Sequence, residues 1–151
     1  MADSADKAEL ARAHGAADVI VLAPGEDYAA LPNAVRSLTG GRGADVFFEL
    51  VGTTATMRAG IRSLAPRGRF VSTGYTDQTL EIHPIDFILS ETSLVSTVAA
   101  TRTDLNDAIA MAAAGALVVP LAGRYPLDGI SDALSALRSR SVLGRQVLVP
   151  N

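Results

Sequence analysis

Cysteine is absent from the 151 residues, which removes disulfides, a thiolate nucleophile and any cysteine metal site. A basic excess is absent as well. Thirteen Lys and Arg against 16 Asp and Glu leave a net charge of −3, so there is no electrostatic footprint for nucleic acid. No apolar run approaches the roughly 20 residues that span a bilayer, and the N-terminus lacks a basic segment followed by an apolar one. Internal repeats, low-complexity tracts and linkers are missing too, and two histidines are the main remaining candidates for a metal ligand. These absences point to a cytoplasmic chain with no nucleic acid and no membrane among its partners. With 48% apolar and 19% charged residues, the composition is that of a soluble globular protein. Its length suits one domain that buries about 70% of its unfolded surface.

What is present is an alternation of two periods. Ala5 to His14 reads as a short alanine-rich helix stopped by Gly15. Asp18-Val19-Ile20-Val21-Leu22 reads as a buried strand, ended by Ala23-Pro24-Gly25. A helix starts near Pro32 with Val35 and Leu38 on one face. Ala44 to Gly52 is the strongest strand, and its near-continuous hydrophobicity predicts cover on both faces. Met57, Ile61 and Leu64 fall at i, i+4, i+7 on a helix capped by Thr53 or Thr54. Arg69 to Thr73 is a third strand, Pro84 to Ser90 a short helix, and Ser93 to Val98 a fourth strand. Thr103 is expected to cap a helix with Leu105 and Ile109. Asp128 is expected to cap another, with Ile130, Ala133, Leu134 and Leu137 on its apolar side and Arg138 and Arg140 in its last turn. Gln146 to Val149 is the final strand. Strands alternating with helices predict an α/β fold with a parallel sheet.

Several stretches carry a family resemblance: Lys7-Ala8-Glu9-Leu10-Ala11 with His14-Gly15-Ala16, Leu38-Thr39-Gly40-Gly41-Arg42-Gly43-Ala44-Asp45-Val46, Glu49-Leu50-Val51-Gly52, Pro66-Arg67-Gly68-Arg69-Phe70-Val71, and Gly144-Arg145-Gln146-Val147-Leu148-Val149-Pro150. In order and spacing the chain resembles the medium-chain dehydrogenase/reductase superfamily, the zinc-type alcohol dehydrogenases and their quinone-reductase relatives. The resemblance implies a C-terminal portion: a truncated Rossmann-like parallel sheet flanked by helices, lacking the first strand, most of the second and the glycine-rich turn. Residues 1–124 are then a partial dinucleotide-binding domain, and 125–151 a helix and strand tail. In the family's sheet order, 3-2-1-4-5-6, the missing strands sit at the centre. Either the strands beginning at Asp18 and Ala44 close ranks, or another polypeptide fills the gap.

The same resemblance assigns candidate cofactor residues. Lys7 matches a lysine that approaches the adenosine ribose or its phosphate. The matching acid position is Ala2, with Asp3 one place late, so Ser4 with Lys7 suits a 2′-phosphate as well; both NAD and NADP stay open. Val51-Gly52, Thr73-Gly74-Tyr75 and Val98-Ala99 fall where strand ends line the adenine and nicotinamide sites. Arg145 matches an arginine that reaches the pyrophosphate. No zinc site is expected. The edge Ser93 to Ala100 resembles a strand that pairs with its two-fold mate, which implies a homodimer.

Glu49 is either a general base at the end of a strand or a residue bonded to a neighbouring turn. His14 suits a helix end. His83, before Pro84 and near Asp86, is either half of an acid/base couple or a loop residue. No catalytic residue is assigned. Three functions follow. One is the cofactor-binding portion of an NAD(P)-dependent alcohol dehydrogenase-like oxidoreductase, inactive in hydride transfer without a complementing N-terminal polypeptide. A second is a stand-alone dimerising or small-ligand-binding module. The third is a repurposed small enzyme using Glu49, Tyr75, His83 or Asp86.

Overall fold

The computed structural model describes residues 1–22, 26 and 28–150. In chain order the elements are α1 (Ala5–Ala13), α2 (Leu31–Leu38), β1 (Ala44–Glu49), α3 (Thr54–Arg62), β2 (Leu64–Ser72), α4 (Pro84–Ser90), β3 (Ser93–Ser96), α5 (Arg102–Ala113), β4 (Leu121–Pro126), α6 (Ile130–Arg138) and β5 (Arg145–Val149). Two compact units emerge. One comprises Met1–Ser4 with Ala17–Ala99, the other Ala5–Ala16 with the residues from Ala100 onward. The division expected between residues 124 and 125 falls inside β4, whose partner is β5. No helix among the described residues is long and apolar enough to cross a membrane.

The first unit is a three-stranded parallel sheet in the order β1-β2-β3. Parallel neighbours need crossovers, and α3 and α4 supply them. Thr53 caps α3 through a box in which its hydroxyl accepts from the Thr56 N–H and Thr56 reaches back to the Thr53 N–H. Two orphan donors are satisfied at that end. The core is built where α3 meets the sheet. Phe70 is fully buried, and Met57 and Leu64 pack with it alongside Phe47, Ile61 and Leu80. The Phe47 and Phe70 rings stack with centroids 5.8 Å apart. Gly60 of α3 faces Phe47, and a Cβ there would stand 2.5 Å from the ring. The helix therefore rests directly on the aromatic pair.

Several expectations are corrected here. β1 is covered on one face only: Phe47 points to the core, while Val46 and Phe48 on the opposite face are exposed, Phe48 to 64%. The unbroken apolar run hid an alternation that a helix on one side alone imposes. The strand expected over Asp18–Leu22 reduces to a single parallel bridge between Ala2 and Val21. A strand exists through its pairing, and Ala2 is the partner that segment finds. It does not close ranks with β1, whose sheet partner is β2. The turn expected at Ala23-Pro24-Gly25 lies outside the described residues. Leu64 belongs to β2 rather than to α3, because Ser63 ends the helix with its N–H on the Ala59 and Gly60 carbonyls. Leu64 is buried as expected, but in a strand rather than a helix. β3 stops at Ser96, ahead of Ala99 with its left-handed φ of 54°.

In the second unit β4 and β5 pair in parallel, joined by the crossover helix α6. A 3-10 turn, Leu127–Gly129, feeds α6, so Asp128 lies within that turn and Gly129 takes the cap position. Ala133 is the buried residue of α6, while Ile130, Leu134 and Leu137 are exposed. Arg138 closes the helix, and Arg140 lies beyond it with a φ of 55°. Thr101, not Thr103, caps α5: its hydroxyl accepts from the Asp104 N–H, and the Asp104 carboxylate accepts from the Thr101 N–H at 2.7 Å. Leu105 and Ile109 on α5 are exposed. Gly15, with φ 95°, ends α1 as read, its N–H on the Arg12 carbonyl.

Two outcomes are expected. Phe70→Ala removes the centre of the core and should cost about 3–5 kcal/mol in urea unfolding; a loss below about 1 kcal/mol would remove Phe70 from that role. The Thr101 hydroxyl and then the Thr101 N–H hold the Asp104 carboxyl below its ordinary value of 3.8. A depressed folded-state pKa means that the cap's contribution is complete above the unfolded value and fades as pH falls through the folded one. In an NMR titration, Thr101→Ala should move Asp104 back up toward 3.8; an unchanged midpoint would contradict the cap.

Candidate functional site

The carboxyl ends of β1, β2 and β3 point the same way, because the three strands are parallel and adjacent. In an open α/β sheet this rim is where ligands bind. Val51-Gly52 follows β1, Thr73-Gly74-Tyr75 follows β2, and Val98-Ala99 comes shortly after β3. The structure brings the first two loops into backbone contact. A Cβ on Gly52, whose φ is 82°, would stand 2.5 Å from the Tyr75 Cα, and one on Gly74 would overlap the Leu50 carbonyl carbon. Glycine is required at both positions for the loops to approach this closely. The Thr97 N–H donates to the Ser72 carbonyl at 3.1 Å, the link that carries the chain out of β3 toward Val98. Tyr75 and Val98 stand 89% and 90% exposed on this rim.

Beneath the rim lies Glu49, 2% exposed. Its Oε1 accepts from the N–H of Val51 at 2.7 Å, the N–H of Gly52 at 2.8 Å and the Thr56 hydroxyl at 3.2 Å. Its backbone carbonyl accepts from the N–H of Thr73 and of Gly74, at 2.9 and 2.8 Å. Of the two roles open to Glu49, the turn-bonded one is the role its geometry fills.

A further polar lattice went unread in the sequence. The Thr76 hydroxyl donates to the Gly52 carbonyl at 2.7 Å, and the Gln78 side chain accepts from the Thr54 N–H at 2.8 Å. The Thr54 hydroxyl donates to the Thr79 carbonyl at 2.7 Å. These bonds lash the start of α3 to the segment after β2. The one available signal was the density of Thr in Thr53-Thr54-Ala55-Thr56, which reads as a cap and no more.

The remaining candidates are placed by other elements. Ser4 directly precedes α1, Lys7 sits in the first turn of α1, and Arg145 opens β5 with its N–H on the Pro120 carbonyl at 2.8 Å. The His14 ring bonds the Leu10 carbonyl at 2.8 Å, as a helix-end residue does. His83 precedes α4, and its carbonyl accepts from the Asp86 N–H at 3.0 Å. Both line an open cavity of about 440 Å³ with Arg58, Glu81 and Phe87, in which Arg58 and Glu81 form a 3.1 Å ion pair. Among the described residues no group of three or more His, Cys, Asp and Glu is placed to hold a metal ion.

With this geometry in place, known proteins supply a frame. A family model described as "Zinc-binding dehydrogenase" matches residues 1–114. The NAD-dependent alcohol dehydrogenase of Sulfurisphaera tokodaii is 26% identical over 148 residues, which cover 98% of this chain and 42% of that protein. The alcohol dehydrogenase of Aeropyrum pernix superposes with a TM-score of 0.85 at 31% identity, over 99% of this chain and 42% of its own. A mycobacterial protein solved in complex with NADPH gives a TM-score of 0.75 at 26% identity, covering 97% of this chain and 48% of its own. The chain thus spans about two-fifths to one-half of the relatives it resembles.

The rim geometry is open to a direct check. Gly52→Ala should cost about 2–4 kcal/mol, from left-handed strain plus overpacking against Tyr75. Gly15→Ala, also at positive φ but with nothing within 4 Å of its Cβ, should cost less. Equal losses in parallel denaturation curves would show that the loops are not pressed together.

Proposed function

The chain belongs to the zinc-binding dehydrogenase family, within the medium-chain dehydrogenase/reductase superfamily, and on that footing we propose that it is the C-terminal cofactor-binding portion of an NAD(P)-dependent alcohol dehydrogenase-like oxidoreductase. It acts in hydride transfer only together with an N-terminal portion that completes it. The observation that carries this reading is the paired glycine rim at the ends of β1 and β2, set in a chain that covers 42% of an NAD-dependent relative. The exposed opposite face of β1, with Val46 and Phe48 uncovered, agrees with a face that another segment covers. An apolar face of this kind favours burial over water.

In this reading the dinucleotide supplies the hydride chemistry when bound, and the residues here bind and orient it. Val51 and Gly52, Thr73 to Tyr75, and Val98 with Ala99 wall the adenine and nicotinamide regions. Ser4 and Lys7 select between ribose hydroxyls and a 2′-phosphate, and Arg145 serves the pyrophosphate. Zinc is a different matter. The sequence has no cysteine, and the described residues offer no His, Asp and Glu cluster in its place. The donor set of this portion does not fit a zinc site, and no step here runs through one. The cytoplasm remains the expected compartment.

The outer edge of β3 supports a second reading, a dimerising module. The Ser93–Ser96 strand pairs with β2 on one side and is exposed throughout, and an edge of free backbone groups seeks a partner. The segment Ser93 to Ala100 is accordingly the proposed two-fold interface.

Titration calorimetry with NADH and NADPH separates these functions, run on the chain alone and with a polypeptide carrying the rest of a relative's length. Binding only in the mixture is expected. Binding by the chain alone would favour the self-contained module, and no binding in either would sink the cofactor reading. Light scattering at micromolar concentration should give twice the chain mass of 15.6 kDa; a monomer would contradict the Ser93 to Ala100 interface.

A further inference from the structure

We propose that Glu49 is a positioning residue that makes the two strand-end loops a single body, so that whatever lies on the rim is held by one buried carboxylate. This deepens the cofactor reading and rests on it for the identity of the ligand. The positioning itself rests on geometry.

Two sets of bonds converge on Glu49, one on its side chain and one on its main chain. On the side-chain side, Oε1 gathers the Val51 N–H, the Gly52 N–H and the Thr56 hydroxyl. That fixes the exit from β1 and ties it to the first turn of α3. On the main-chain side, the Glu49 carbonyl gathers the Thr73 and Gly74 N–H groups, which fixes the exit from β2. The loops then meet at Gly52 and Gly74, where no Cβ fits. Thr76 closes the circuit by donating to the Gly52 carbonyl. A displacement of the β1 loop therefore drives the β2 loop, because the contact between them is backbone on backbone and has no soft side chain to absorb it. With 2% exposure, Glu49 touches no ligand itself. It acts on Gly52 and, through Gly52, on Gly74 and Tyr75.

The chemistry of the side chain sets the test. What the donors need is an oxygen acceptor at the Oε1 position, and a glutamine amide supplies one. Glu49→Gln should therefore keep both loops in place, whereas Glu49→Ala leaves three donors without their acceptor. Amide hydrogen exchange by NMR reads the result directly. In Glu49→Ala, exchange at Val51 and Gly52 should accelerate about tenfold or more, the fold-change of one lost buried hydrogen bond. Thr73 and Gly74 should accelerate with them, although their own bonds go to the unaltered carbonyl. Amides of Phe70 and Val71 in β2 should stay near the wild-type rate, which separates local release from general loss of stability. Glu49→Gln should exchange within about threefold of wild type at all four loop positions.

Acceleration confined to Val51 and Gly52 would overturn the coupling of the loops. Exchange in Glu49→Gln as fast as in the alanine variant would overturn the acceptor role. If the alanine variant does not fold, the glutamine variant decides alone: wild-type exchange supports the proposal and a tenfold rise overturns it. NADH and NADPH titrations of the same variants, in the presence of the completing portion, form a second readout. Affinity should fall in Glu49→Ala and recover in Glu49→Gln. If wild type itself binds neither nucleotide while the exchange pattern holds, the ligand reading fails and the positioning role stands.

Discussion

The strand-end rim of this molecule depends on one close approach, the backbone of the loop after β1 lying against the backbone of the loop after β2. Gly52 and Gly74 permit it, since a Cβ on either would drive into the other loop. Glu49 enforces it with a side-chain oxygen on one loop and a main-chain oxygen on the other. The side-chain oxygen removed from water there meets three donors, as buried polar atoms in folded proteins generally do. This arrangement also explains why the strongest apolar strand of the chain ends in an acid.

Below that rim the fold is held by a modest core. Phe70 stacks on Phe47, and Gly60 lets α3 settle on the pair. Helices on this side leave the opposite face of β1 bare at Val46 and Phe48. The same imbalance appears in α5, where Leu105 and Ile109 are exposed. The chain spans 42% of an alcohol dehydrogenase relative, and the proposed function accounts for these bare faces as surfaces that a completing portion covers. The bare faces and the coverage point the same way.

How much was legible in the sequence followed from what each feature depends on. Local signals read well: Gly15 ends α1, Thr53 caps α3, and Pro84 opens α4 at its stated position. The glycines after β1 and β2 are legible as loop glycines at strand ends, whereas the backbone contact between them is not. Features set by partners read poorly. Asp18–Leu22 has the composition of a strand, yet a strand is defined by its neighbour, and among the described residues Ala2 provides the bridge. The run from Val46 to Phe48 looked covered on both faces because apolar composition does not say where helices settle. Leu64 kept its place in the core but moved from helix to strand, because Ser63 ends α3 one residue earlier. The Thr54, Thr76 and Gln78 lattice left no periodic trace, since polar loop residues pair by geometry that spacing does not encode.

The proposed dinucleotide site lies on the rim at the ends of β1, β2 and β3. The most direct measurement is a map of amide chemical-shift changes in the labelled chain, completed by its N-terminal counterpart, as NADH or NADPH is added. Val51, Gly52, Thr73, Gly74, Tyr75, Val98 and Ala99 should shift together, with a single dissociation constant. Shifts centred instead on His83, Asp86 and Arg58, with the glycine rim silent, would contradict it.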